Sequence, residues 1–230
     1  EFTWGLPSTG TTPTGYEYAV TTSATPPGSG SSLSGSTFSV NTGNTLTTNT
    51  TYYIHVRSVC GTGNYSGWIS KNFYTGYCVP TGNNSSYQIT NIATTGATTN
   101  MTSASSGGAG YVDYSASRSV SHYAGGDFGI SITTNSTTST FYHYVWVDWN
   151  NNLSFTDANE AVIATSSYVN LFNGTIAIPA GTPLGSYKMR VAISFSGAIT
   201  SCASTSGEYE DYTLTVVAPP VCMVPITPTA

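Results

Sequence analysis

The chain has 230 residues, enough for one or two domains with buried cores. Only 7% of it is charged, with five Lys plus Arg and a net charge of −5, which argues against a phosphate-binding surface and so against nucleic acid as a partner. No apolar run approaches the ~20 residues of a membrane-spanning helix, which argues against membrane insertion.

Plentiful Thr, Tyr and Val with few Ala, Leu, Glu and Lys predict strands rather than helices. Period-two alternation marks those strands in chain order. Residues 15–22 (GYEYAVTT) place Tyr16, Tyr18 and Val20 on one face, and residues 36–40 pair Phe38 with Val40. Residues 51–59 send Tyr52, Ile54 and Val56 one way and Tyr53, His55 and Arg57 the other; residues 68–74 form a further strand. Turns such as Pro26-Pro27-Gly28 separate these runs, the spacing of a small antiparallel sandwich. A second series begins near Tyr77-Cys78-Val79-Pro80, with strands predicted at 87–92, 127–133, 141–149, 160–164, 174–178, 186–195 and 209–216. Residues 141–148 are mostly apolar on both faces, the mark of a central strand. Seven or more strands with short turns give a sandwich or jelly roll. The expected fold class is all-β, two antiparallel β-sandwich domains.

The clearest chemical pattern is residues 148–160, DWNNNLSFTDANE. Counting from Asp148, oxygen-bearing side chains fall at positions one, three, five and seven (Asp148, Asn150, Asn152, Ser154), followed by Asp157 and Glu160. Alternating oxygens closed by a later carboxylate suit a hard cation, and calcium tolerates their irregular geometry. Leu153 stands where such loops normally have glycine, and three of the first four candidates are neutral, so any affinity would be weak. The competing reading is an Asn-rich turn held by side-chain-to-backbone bonds.

A second acidic group, Glu208, Glu210 and Asp211, precedes the last strand. Alternation sends Glu208 and Glu210 to one side and Tyr209 and Asp211 to the other. These acids read either as cation ligands or an acid–base pair for glycoside cleavage, or as structural groups. In the structural case one pairs with Arg190 or Lys188 and another takes backbone donors across a corner. The basic residues at 188 and 190 favour the structural reading. Histidines 55, 122 and 143 are scattered, and no zinc-peptidase motif or nucleophile elbow occurs. Tyr142, Tyr144, Trp146 and Trp149 form either core packing or a sugar-stacking face. Cysteines 60, 78, 202 and 222 form no C-x-x-C pair, so disulfides in an oxidising compartment are expected.

Leu46, six residues before Tyr52 and its alternating strand, resembles the tyrosine corner of a fibronectin type III domain, and Phe2-Thr3-Trp4 is similar to that family's core-tryptophan strand. The likeness covers residues 1–76 and lacks the family's first strand. The segment VRSVCGTGNYSGW (residues 56–68) resembles the variety in exported proteins of Bacteroidota. Residues 77–218 resemble the GEVED domain in four ordered segments: Tyr111-Val112-Asp113-Tyr114, Trp146-Val147-Asp148-Trp149-Asn150, Ile178-Pro179-Ala180-Gly181-Thr182 and Gly207-Glu208-Tyr209-Glu210-Asp211-Tyr212. This resemblance implies a jelly-roll-like sandwich without catalysis, found in secreted and surface proteins beside fibronectin type III units, peptidases and type IX secretion signals. Residues 219–230 are similar to a linker and the first strand of another fibronectin type III domain.

Cys78 and Cys202 bracket the GEVED-like domain and are expected to staple it. The resemblance makes Cys60 and Cys222 halves of two interrupted inter-unit disulfides. It also implies that residues 1–76 accept a strand from a neighbouring domain or from another copy, giving a filament if repeated. The expected function is a non-catalytic segment of a large exported bacterial protein, extracellular at the cell surface, serving adhesion, display or spacing. The alternative is an accessory carbohydrate-binding module of a secreted hydrolase, with polysaccharide as its partner.

Overall fold

A computed structural model describes all residues except 1, 9, 11, 35–38, 41–45, 48, 83–85, 106–109, 166, 167, 170 and 222–230. Phe38, Cys222 and most of the expected strand in residues 219–230 therefore lie outside the described residues. The chain divides into two compact units, Glu1–Tyr77 and Cys78–Ala230. No helix occurs among the described residues; every regular element is a strand.

The first unit contains β1 (Phe2–Thr3), β2 (Gly15–Thr21), β3 (Ser31–Ser34), β4 (Ser39–Val40), β5 (Thr51–Gly61), β6 (Asn64–Tyr65) and β7 (Ile69–Tyr74). β1 and β4 form a two-stranded antiparallel pair. β5 is the spine of the other sheet, pairing antiparallel with β2, β6 and β7. Ile54 and His55 are adjacent yet both buried, so β5 is covered on both faces. The imidazole tolerates this because Thr21 Oγ1 and Ser70 Oγ lie 3.0 and 2.7 Å from its two nitrogens. Arg57 is held similarly: Nη2 donates to Glu17 at 2.7 Å, while the guanidinium lies over the rings of Tyr65 and Trp68. Tyr52 Oη accepts the Thr47 N–H at 3.1 Å, tying the loop to the strand it precedes.

The second unit contains β8 (Thr81–Gly82), β9 (Ile89–Thr95), β10 (Thr102–Ala104), β11 (Tyr111–Asp113), β12 (Ser119–Tyr123), β13 (Asp127–Thr134), β14 (Tyr142–Val147), β15 (Ala161–Ala164), β16 (Phe172–Ala177), β17 (Gly185–Ser194), β18 (Ser204–Thr205) and β19 (Tyr209–Val217). One sheet has the order β10-β9-β13-β16 and is antiparallel throughout. The other runs β15-β14-β17-β19, with β11 and β12 end to end along the free edge of β19. The core between the sheets combines Ile92, Ile130 and Ile132 of the first with Val145, Val191 and Leu214 of the second. Alternation on β13 is complete: Phe128, Ile130, Ile132 and Thr134 are buried and their neighbours are not.

Two features depart from the expected all-antiparallel plan. β11 and β12 run parallel to β19, and so does the short β8 to β18. β11 and β12 are one edge strand interrupted by a turn in which the N–H groups of Ser117 and Arg118 donate to Tyr114 O. The strand expected over 141–149 stops at Val147, because the next residue turns its carboxylate onto the following loop.

Candidate functional site

The register of the larger sheet builds the principal polar site. Trp146 lies opposite Arg190, Arg190 opposite Asp211, and Asp211 opposite Asp113, a row across four strands. Even-numbered residues of β14 and β17 and odd-numbered residues of β19 point away from the core, so this row is on the outer face. That face is nonetheless covered: Tyr144, Trp146, Arg190, Tyr209 and Asp211 are all buried. Arg190 Nε and Nη2 donate to the two oxygens of Asp211 at 2.7 and 2.8 Å, a bidentate pair. Nη1 donates to Ser201 O at 2.7 Å and Nη2 to Cys78 O at 3.0 Å. Cys78 and Cys202 form a disulfide with Cα atoms 5.8 Å apart. One guanidinium thus fastens both chain segments that carry the disulfide onto the sheet. Tyr111 Oη completes the shell by donating to Asp211 Oδ2, and Lys188 Nζ reaches Asp113 at 3.0 Å.

The opposite, core-facing side of β19 holds Glu208 and Glu210, 1% and 0% exposed. Glu208 Oε2 accepts the Ile89 N–H of the facing sheet at 2.8 Å, and Glu210 Oε2 accepts the Tyr212 hydroxyl at 2.6 Å. Among the described residues their second oxygens have no hydrogen-bond partner. Burial, reinforced by the neighbouring Glu208 charge, pushes Glu210 up to about 7; burial likewise raises Glu208. Arg118 caps this end: it donates to Ser103 Oγ and Ala104 O, and its guanidinium lies 3.8 Å from the Tyr114 ring centre. Arg118 was not among the expected site residues. Its signal was its rarity, one of five cationic residues in the chain.

The 148–160 loop brings the six calcium candidates into one turn, chiefly by bonding to its own backbone. Asp148 Oδ1 and Oδ2 accept the N–H groups of Asn152 and Leu153. Asn150 and Asn152 Oδ1 accept the N–H groups two residues on, while their Nδ2 atoms donate to Asp157 Oδ2 at 3.1 and 2.6 Å. Ser154 Oγ accepts the Thr156 N–H, and Glu160 Oε2 accepts that of Asp157. Glu160 is 1% exposed, and among the described residues its Oε1 has no hydrogen-bond partner. Burial raises its pKa, and the charges of Asp148 and Asp157 raise it further. Leu153 has φ 70°, the left-handed conformation for which loops of this type use glycine. Among the described residues no group of three His, Cys, Asp or Glu side chains is arranged to hold a metal.

The aromatic face is a packed layer: Tyr144 stacks on Trp146 at 5.3 Å, and Trp146 on Tyr209 at 6.4 Å. Tyr142 and Trp149 keep partial exposure. His143 is buried, and desolvation drives it down to about 4, so the ring is neutral near pH 7. Cys60 is a free thiol in the first unit, and Cys222 lies outside the described residues.

The family model of the GEVED domain matches residues 142–215, a stretch that runs from β14 through the Glu208–Asp211 acids. This part of the second unit is therefore similar to a small non-catalytic domain of surface proteins. No curated protein matches the chain.

Proposed function

We infer that this chain is a non-catalytic segment of a large exported bacterial protein, working extracellularly at the cell surface in adhesion, display or spacing. One observation carries most of the reading. The acids that a hydrolase would need are consumed by structure: Asp211 by Arg190, Glu208 by the facing sheet and Glu210 by Tyr212, all at 1% exposure or less. An acid–base pair must reach substrate, and these do not. The GEVED likeness agrees with a surface role of the kind known in Bacteroidota, and the disulfide agrees with an oxidising compartment. A fibronectin type III-like identity for residues 1–76 is supported by the Tyr52–Thr47 tie and by Trp4 packed edge-on against Tyr16 at 5.6 Å.

The alternative, a carbohydrate-binding module, needs a solvent-facing aromatic platform; Tyr144 and Trp146 do not supply one. Pull-down with insoluble polysaccharides tests the choice. The spacer reading expects the chain in the supernatant. Retention that is lost on Tyr142→Ala or Trp149→Ala would establish the alternative.

The 148–160 loop adds a weak calcium site to this reading. Asp148, Asp157 and Glu160 supply carboxylates, with Asn150, Asn152 and Ser154 as neutral oxygens. Glu160 Oε1, buried and without a hydrogen-bond partner among the described residues, feels two further carboxylates and is the observation in its favour. Bound calcium would neutralise that charge and cross-link the loop. It would have to displace the Asn Nδ2–Asp157 hydrogen bonds, which keeps the affinity low.

A further inference from the structure

A guanidinium has five N–H donors, and Arg190 uses all of them. Nε and Nη2 hold Asp211, Nη2 also donates to Cys78 O, and Nη1 donates to Ser201 O. The fifth N–H, on Nη1, points at a sulfur: Cys78 Sγ lies 3.3 Å away. A disulfide sulfur is a weak acceptor, so this bond contributes little while the bridge is intact. A thiolate at Cys78 would make it charge-assisted, at a guanidinium with no solvent exposure. The other end of the bridge differs. Cys202 lies in an exposed turn, and its sulfur meets the neutral Ser201 hydroxyl at 3.7 Å, whereas Cys78 is half-buried.

Thiol–disulfide exchange depends on access to the sulfur attacked and on how readily the other leaves as a thiolate. Both conditions select one direction here: Cys202 Sγ is on the accessible side, and Cys78 Sγ is the better leaving group. The surrounding charges leave this polarity in place. Asp211 on β19 occupies the Nε–Nη2 edge of the guanidinium, while Cys78 meets Nη1 and Nη2. Lys188 on β17 lies 4.0 Å from Asp211 and shares its charge. Burial keeps the Tyr111 and Tyr209 hydroxyls protonated. Opening the bridge also leaves its two segments in place. Arg190 still holds Ser201 O and Cys78 O, and β8 still pairs with β18 through Thr81–Ser204 and Gly82–Thr205.

We propose that the Cys78–Cys202 bridge is a directional exchange site that takes up a low-molecular-weight thiol on Cys202. The incoming thiolate attacks Cys202 Sγ. A new sulfur–sulfur bond forms there as the bond to Cys78 breaks, and the electron pair of that bond leaves on Cys78 Sγ, where Arg190 Nη1 holds the thiolate. The incoming sulfur is oxidised as Cys78 is reduced, so no further oxidant or reductant enters. Because the segments stay in place, the Cys78 thiolate can attack the mixed disulfide at Cys202 and expel the thiol again. The site goes beyond the surface-spacer reading and does not rest on it.

The experiment uses the 230-residue chain with its free thiols first capped by N-ethylmaleimide. The chain is incubated with millimolar reduced glutathione at neutral pH, quenched with iodoacetamide and mapped without reduction. Glutathione on Cys202 with the alkyl group on Cys78 is expected to exceed the reverse arrangement roughly tenfold. In the reduced, still folded chain, Cys78 alkylation should reach half its maximal rate about one pH unit below the ~8.5 of an ordinary thiol. That midpoint reports charge at the sulfur rather than access to it. Arg190→Met with Asp211→Leu removes both charges together, an exchange that buried pairs often tolerate. It should return the midpoint to the ordinary value and cut the preference for Cys202 to about threefold or less. Adduct chiefly on Cys78, equal adducts on both cysteines, or no adduct at all would overturn the proposal. So would a parent Cys78 midpoint at or above ~8.5, or a preference undiminished in the double variant, which would show that access alone sets the direction.

Discussion

Arg190 carries its charge at a site with no solvent exposure, and Asp211 meets it there with both oxygens. Removing one partner of such a pair leaves the other desolvated and uncompensated, at a cost of about 3–5 kcal/mol. Asp211→Ala should therefore lower the melting temperature by roughly 10 °C, given the usual few degrees per kcal/mol for a unit of this size. A fall under ~2 °C would show that the pair is not structural. Alternation in residues 207–212 was enough to separate the faces: Asp211 with Tyr209, Glu208 with Glu210. The basic residues at 188 and 190 offered Arg190 or Lys188 as a partner for one of the acids. Alternation could not show that the outer face is itself covered, because the segments that bury it are loops anchored by the disulfide and by Arg190, without periodicity. The core-facing acids behave oppositely in pH. Glu210 is raised from 4.5 to about 7, so the folded state binds its proton more tightly than the unfolded chain does. Its contribution is fully present below pH 4.5 and is lost as pH rises through about 7. Glu210→Gln should flatten the decline in melting temperature across that window and leave the variant more stable than the parent at pH 8. Parallel profiles for the two proteins would contradict this assignment.

At the scale of elements, the long strands were legible and the short ones were not. β5, β13, β14, β17 and β19 each carry enough alternating or continuous apolar residues to announce themselves. β11 and β12 have three and five residues, too few for a period to stand out. Their parallel pairing with β19 depends on a backbone edge rather than on side-chain pattern. The 148–160 loop was legible as a cation-like spacing, but not which atoms of Asn150 and Asn152 face Asp157. An amide can present nitrogen or oxygen, and residue type does not choose between them. Leu153, at φ 70°, is this loop's strained point. Leu153→Gly should relieve about 1 kcal/mol by removing the left-handed penalty of a Cβ, partly offset by glycine's extra freedom when unfolded. On the calcium reading it should also enlarge the rise in melting temperature produced by millimolar calcium, since binding stabilises by mass action. A melt insensitive to calcium and to chelator, in parent and variant alike, would dismiss the metal and leave a turn held by its own backbone bonds.

At the scale of the whole molecule, many of the few charges turn inward, while Lys71, Asp113, Asp127 and Asp157 stay exposed. Glu17 and Arg57 in the first unit, and Arg190, Asp211, Glu208 and Glu210 in the second, are committed to internal bonds. Most of the polar surface is supplied by hydroxyls and amides, in keeping with the 7% of residues that are charged. Where those residues would be placed was open until the register of β17 on β19 put Arg190 against Asp211. The central claim is that the Glu208–Asp211 motif holds the fold and performs no chemistry. The most direct measurement is hydrolysis of a panel of polysaccharides and peptides by the parent chain and by Glu210→Gln at matched folded concentration. The expected result is product at the level of the enzyme-free blank for both proteins. Turnover by the parent that disappears in Glu210→Gln while the variant remains folded would contradict the account.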